Sequence, residues 1–136
     1  MKLIIFLGSF LFLLNPASAD TEWIYIKNES LTGFSREHPA EVSYDKRLIS
    51  NQTQFKQLWM MYSLKNRLID GWSSFKERVE IDCRETTFRK VEIIGYTFFN
   101  ATGYSDIVKN TDPAWHLLKE KPDSAYAMVA AKLCQR

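Results

Sequence analysis

Between Phe75 and Cys83 the chain alternates apolar and charged side chains: Phe75, Val79, Ile81 and Cys83 on one parity, Lys76, Arg78, Glu80 and Asp82 on the other. Successive strand residues point to opposite faces, so this spacing predicts a β-strand with one dry and one wet face, with Asp82 on the wet one. Residues 55–64 read differently. Phe55, Trp59 and Met61 share one parity and Leu58, Met60, Tyr62 and Leu64 the other, which predicts a central strand covered on both faces. A buried helix is the competing reading, and the Phe, Trp and Tyr content favours the strand. Residues 23–26 predict a first strand, 28–39 a turn-rich stretch and 42–49 a further extended piece. The 65–72 connection carries the turn signal Asp70-Gly71. In residues 87–99 the apolar parity changes beside Gly95, which predicts a β-bulge, and Gly103 opens a short strand over 104–108.

The period changes near the end of the chain. Tyr126, Val129, Ala130 and Leu133 recur at helical spacing, with Cys134 four residues after Ala130. Pro122 precedes an N-cap at Asp123 or Ser124, and Lys132 and Arg136 suit the negative end of the helix dipole. The stretch before it, from Asp112 to Lys121, reads as irregular. The expected fold class is therefore α+β: an antiparallel sheet of about six strands with one C-terminal helix packed on a face.

Composition adds an address. Lys2, the apolar residues 3–14 and Ala17-Ser18-Ala19 form a secretory signal peptide, with cleavage expected between Ala19 and Asp20. The apolar run is shorter than the roughly 20 residues of a spanning helix. Residues 1–19 are thus expected as signal and 20–136 as a single domain, with no integral membrane segment in the mature chain. Position 20 is Asp, so the cysteine that a lipid anchor requires is missing there. Removing one lysine from the 18 Lys and Arg, against 16 Asp and Glu, leaves about +1, which excludes a general nucleic-acid binder. The two cysteines, Cys83 and Cys134, predict one structural disulfide pinning the helix to the dry face of a strand.

The pieces Glu22-Trp23-Ile24, Ser43-Tyr44-Asp45, Gln57-Leu58-Trp59, the block 72–83 ending Ile81-Asp82-Cys83, Tyr96, Trp115, Pro122-Asp123-Ser124 and Leu133-Cys134 run in order through nearly the whole mature chain. In this order and spacing the chain resembles the surface-adhesin protein E family of small exported bacterial proteins. The resemblance implies an antiparallel sheet with a disulfide-tethered C-terminal helix, no enzymatic role, and engagement of host extracellular-matrix proteins. Members of that family that give it its name are lipid-anchored; with Asp20, this chain is expected in the periplasm, at the cell surface or secreted, without an anchor.

No chemistry-bearing constellation competes with a binding role. The cysteines are not arranged as Cys-x-x-Cys, and His38 and His116 are far apart in sequence without a carboxylate cluster at ligand spacing, so no metal and no cofactor is expected. A serine nucleophile would need a strained Gly-x-Ser-x-Gly turn, which is absent. The candidate contact set for a protein partner is Trp72, in a connection, with Lys65, Arg67, Lys76 and Arg78 around it. The plainer reading of the same residues is core packing for Trp72 and a solvated hairpin for the charges. Two alternatives stand beside the binding protein of the cell envelope. One is a periplasmic enzyme or enzyme inhibitor with a cleft between helix and sheet. The other is a structural dimerising domain, motivated by the two apolar faces of 55–64.

Overall fold

The computed structural model describes residues 22–31, 38–68, 70–109 and 114–135. The signal peptide, the Ala19–Asp20 junction and Arg136 lie outside them. Six strands form the main path of one open antiparallel sheet, in the order β1 (Trp23–Leu31), β2 (His38–Asp45), β4 (Phe55–Leu64), β5 (Ser74–Asp82), β6 (Thr87–Phe98), β7 (Thr102–Lys109). Two short ribbons extend it. β3 (Ser50–Asn51) lies beside the first half of β4, and β8 (His116–Leu117) beside the first residues of β6. Helix α1 (Ala125–Leu133) crosses one face.

The parity of each strand decides what that face buries. Val42, Tyr62 and Phe75 lie in one cross-strand row, Tyr44, Met60 and Glu77 in the next, then Leu58 with Val79, and Ile81 with Phe88. Ala125, Tyr126, Val129 and Ala130 close over them from the helix. Three of these four helix residues are small, so the helix backbone sits close to the strands; Tyr126 stacks on Phe88 with ring centroids 4.2 Å apart. Fully burying a side chain such as Leu58, Met60 or Ile81 contributes about 1.5–3 kcal/mol over leaving it exposed. Ser124 caps the helix by accepting a hydrogen bond from the Ala127 N–H at 3.2 Å. At the other end Cys134 is joined to Cys83, with Cα atoms 5.4 Å apart.

The opposite face is not bare. On β4 it carries Trp59 and Met61, and the Lys76 ammonium lies 4.7 Å from the Trp59 ring centroid and 5.7 Å from that of Trp23. Burial there pulls the Lys76 ammonium below its ordinary pKa, opposed by the charge of Asp45. Phe55 meets Trp115, whose ring the Arg89 guanidinium covers at 4.6 Å. Residues 55–64 therefore do sit centrally with both faces occupied.

Several local expectations change. The first strand continues through Leu31 instead of turning at residue 28, and the next begins at His38 and ends at Asp45, so 42–49 is not one extended piece. Asp82 does not face solvent: it is 7% exposed, because the turn after β5 folds back over it. The extra residue of β6 facing β5 is Val91, between Lys90 opposite Val79 and Glu92 opposite Arg78. Gly95 is flanked by irregularities only on its β7 side. Part of the irregular stretch, residues 110–113, lies outside the described residues, while His116 and Leu117 pair with β6.

Candidate functional site

The sheet presents two features that a core does not require. The first is β7. It ends the strand order, and among the described residues it has no second neighbour. Half of the large apolar side chains exposed among the described residues fall on the hairpin it forms with β6: Phe98, Phe99, Tyr104, Ile107 and Val108. Asn100 and Ala101, in the turn, both have positive φ, and Gly103 follows at φ 85°, where a Cβ would meet the Phe98 ring. On the helix side, Trp72 lies against Gly95, so close that a Cβ there would stand 2.7 Å from the Trp72 ring and 2.6 Å from Val108. Trp72 also stacks on Tyr104, 6.5 Å between centroids and 10° between planes. On the opposite side Ile107, Ile94 and Lys76 form one row across three strands.

The sequence-derived contact set divides along this line. Arg67 donates from Nε to the Gly71 carbonyl at 2.8 Å, which puts its guanidinium next to Trp72, with Lys65 on the same connection. Lys76 and Arg78 lie on the other face of the sheet. The five residues thus do not form one patch: the Lys65 N–H donates to the Pro39 carbonyl of β2, and the Lys76 ammonium turns to Trp59 and Trp23, toward the β1 end of the sheet. Phe98, Phe99 and Tyr104 were absent from that set; the adjacent Phe98-Phe99 before a turn was the available signal.

The second feature is a cleft of about 460 Å³ where the loop leading into α1 meets β1 and the middle strands. Its floor is Tyr62, Glu77 and Tyr126, which are 2%, 6% and 7% exposed. The Tyr126 hydroxyl donates to Glu77 Oε2 at 2.5 Å, and Lys90 Nζ stands 3.4 Å from Glu77 Oε1. The Tyr62 hydroxyl is buried next to the Tyr126 hydroxyl and the Glu77 carboxylate. Burial, with the Glu77 carboxylate beside it, holds the Tyr62 phenol well above the ordinary tyrosine value; burial and the proximity of Tyr62 and Glu77 do the same to Tyr126. At the rim, Lys27 Nζ donates to the Asp123 carbonyl at 2.6 Å, tying β1 to the loop before the helix. Sequence reasoning passed over this site, although Glu77 gave a signal: it occupies the dry parity between Phe75 and Val79.

Cys83 and Cys134 form the expected bridge. His38 begins β2 and His116 begins β8 with its ring 5.5 Å from Phe88, so the two histidines serve separate elements. Among the described residues no three His, Cys, Asp or Glu side chains are grouped to hold a metal ion. No helix among them is long and apolar enough to cross a membrane.

An open antiparallel sheet, a helix bolted to it by one disulfide and a free edge with exposed apolar side chains define a small disulfide-stapled α+β domain. The chain belongs to the surface-adhesin protein E family, which it matches over residues 19–135. No curated protein and no solved structure matches it.

Proposed function

We propose that this chain is an exported, non-enzymatic binding protein of the bacterial cell envelope that takes up an extended segment of a protein partner along the free edge of β7. One observation carries the reading: the strand that ends the sheet exposes apolar side chains on both of its faces, Tyr104 and Val108 on one and Ile107 on the other, with Asp106 among them. An edge with that much exposed apolar surface invites pairing, and the one acidic side chain on it, Asp106, is turned to its own backbone, accepting from the Ile107 N–H at 2.8 Å. A partner strand would hydrogen-bond to the outer backbone groups of β7 while its alternate side chains cover Tyr104 and Val108 on one side and Ile107 on the other. Arg67, held at the Gly71 carbonyl beside Trp72, which stacks on Tyr104, favours an acidic residue in the partner segment next to its apolar ones. Family membership supports the adhesive, non-catalytic part of the reading, with host extracellular-matrix proteins as the partner class.

The test is surface plasmon resonance of wild type and an Ile107→Lys, Tyr104→Ser double variant over immobilised, purified extracellular-matrix proteins. Wild type binds at least one of them, and the variant loses more than about tenfold in affinity, equivalent to about 1.4 kcal/mol, with its melting temperature retained. Equal binding by both proteins, or none by wild type, would overturn the proposal. So would sedimentation showing that β7 is already occupied by a second copy, which the Ile107→Lys change releases.

A further inference from the structure

We propose that the tip of the β6–β7 hairpin, residues 98–104, seats itself in the interfacial layer of a phospholipid bilayer. The carrying observation is what the tip exposes together with what it lacks. Phe98, Phe99 and Tyr104 are 60%, 47% and 67% exposed, and no Lys, Arg, Asp, Glu or His occurs from residue 93 to residue 105, in a sequence of which 25% is charged. Aromatic rings held at the end of a hairpin with no charge beside them are poorly served by water and well served by the membrane interface, where such rings collect. The reading of the β7 edge does not use Phe98 or Phe99, which lie at the far end of β6 from the row of Ile94 and Ile107.

A turn that leaves water has to satisfy its peptide groups inside the protein. This one does so with four hydroxyls. Ser74 Oγ donates to the Phe98 carbonyl at 2.6 Å and accepts from the Ala101 N–H at 2.9 Å, and Ser63 Oγ accepts from the Asn100 N–H at 3.2 Å. Thr102 Oγ1 donates to the Phe99 carbonyl at 2.7 Å, and Thr97 Oγ1 accepts from the Tyr104 N–H at 3.0 Å. Ser63 and Ser74 belong to β4 and β5, so the tip is fastened to the body of the sheet. Its rings are also set in advance: Phe98 lies over Gly103 and Tyr104 is backed by Trp72, so little side-chain entropy is lost on docking. The absence of charge selects the kind of membrane contact. With no cation to seek anionic headgroups, affinity follows the buried aromatic area, a zwitterionic lipid suffices, and salt does not weaken it. Tyr104 keeps its hydroxyl at headgroup level while the phenylalanine rings reach past it.

The experiment is flotation of the full exported protein with phosphatidylcholine vesicles at low and at high salt. Wild type rises with the vesicles equally in both, and a Phe98→Ser, Phe99→Ser double variant partitions more than about tenfold less, with its melting temperature retained because both side chains are exposed. Phe99→Trp keeps a ring at the tip, floats as wild type does, and gains indole fluorescence that brominated phosphatidylcholine quenches, a readout that does not depend on the double variant folding. Ile107→Lys still floats, which separates the tip from the β7 edge. The proposal fails if wild type stays with the soluble fraction, if the double variant floats equally, or if the added indole is not quenched. It fails equally if flotation needs phosphatidylglycerol and is reversed by salt, or if Ile107→Lys abolishes it.

Discussion

Asp82 keeps a charge at a nearly buried position because the turn after β5 brings donors to it. Burial raises its pKa, but the Glu85 N–H at 3.1 Å, the Gln54 side-chain amide at 3.2 Å and the Arg84 N–H at 2.9 Å together outweigh that and hold the carboxyl below the usual aspartate value. A depressed folded pKa means stability that is fully present above the unfolded value, near pH 4, and lost as pH falls through the lower folded value. Urea midpoints measured across that acid window should therefore fall for wild type and fall less steeply for Asp82→Asn. Parallel curves would show that Asp82 contributes nothing to acid sensitivity. The alternating pattern placed Asp82 on a wet face, whereas the structure buries it to 7% exposure. Its burial was not legible, because it comes from a turn whose donors lie outside the strand.

At the scale of elements, α1 is only nine residues long and two of its four buried residues are alanine, so its packing on the sheet rests mainly on Tyr126 and Val129. The Ser124 cap contributes about 1 kcal/mol. The Cys83–Cys134 bridge closes a loop of 51 residues, for which the chain-entropy model gives roughly 4 kcal/mol. Replacing both cysteines with alanine should lower the guanidinium midpoint markedly, with the loss largest in the helical circular-dichroism signal. A midpoint within experimental error of wild type would show that the helix needs no staple. The helix and its cap were legible from residues 122–134, since helical spacing and capping are local, and the bridge from Cys83 and Cys134 being the sequence's two cysteines. The β6–β7 hairpin was legible only as two strands. That Trp72 crosses from the preceding connection to lie on Gly95 and stack with Tyr104 depends on which strand stands next to which.

For the whole molecule, an open sheet has two edges, and this one treats them differently. β1 is tied by Lys27 to the loop before the helix, whereas β7 carries exposed apolar side chains on both faces. If the β7 edge is an adhesive surface, it has to face outward. Protease added to intact cells should then remove the protein, and a purely periplasmic, protease-protected pool would count against adhesion. The sequence by itself determined the central strands β4 and β5, the terminal helix and the pairing of the only two cysteines, because two-residue and 3.6-residue periods are written locally in the order of side chains. It also placed Glu77 on a dry parity and Tyr62 in a central strand. Only the tertiary structure decided that these two meet Tyr126 and Lys90 in one cleft, and that Arg67 and Trp72 are parted from Lys76 and Arg78 by the thickness of the sheet. Such neighbours are set by strand order and by the path of the helix across it, and residues 49 positions apart, like Tyr126 and Glu77, carry no local mark of their contact.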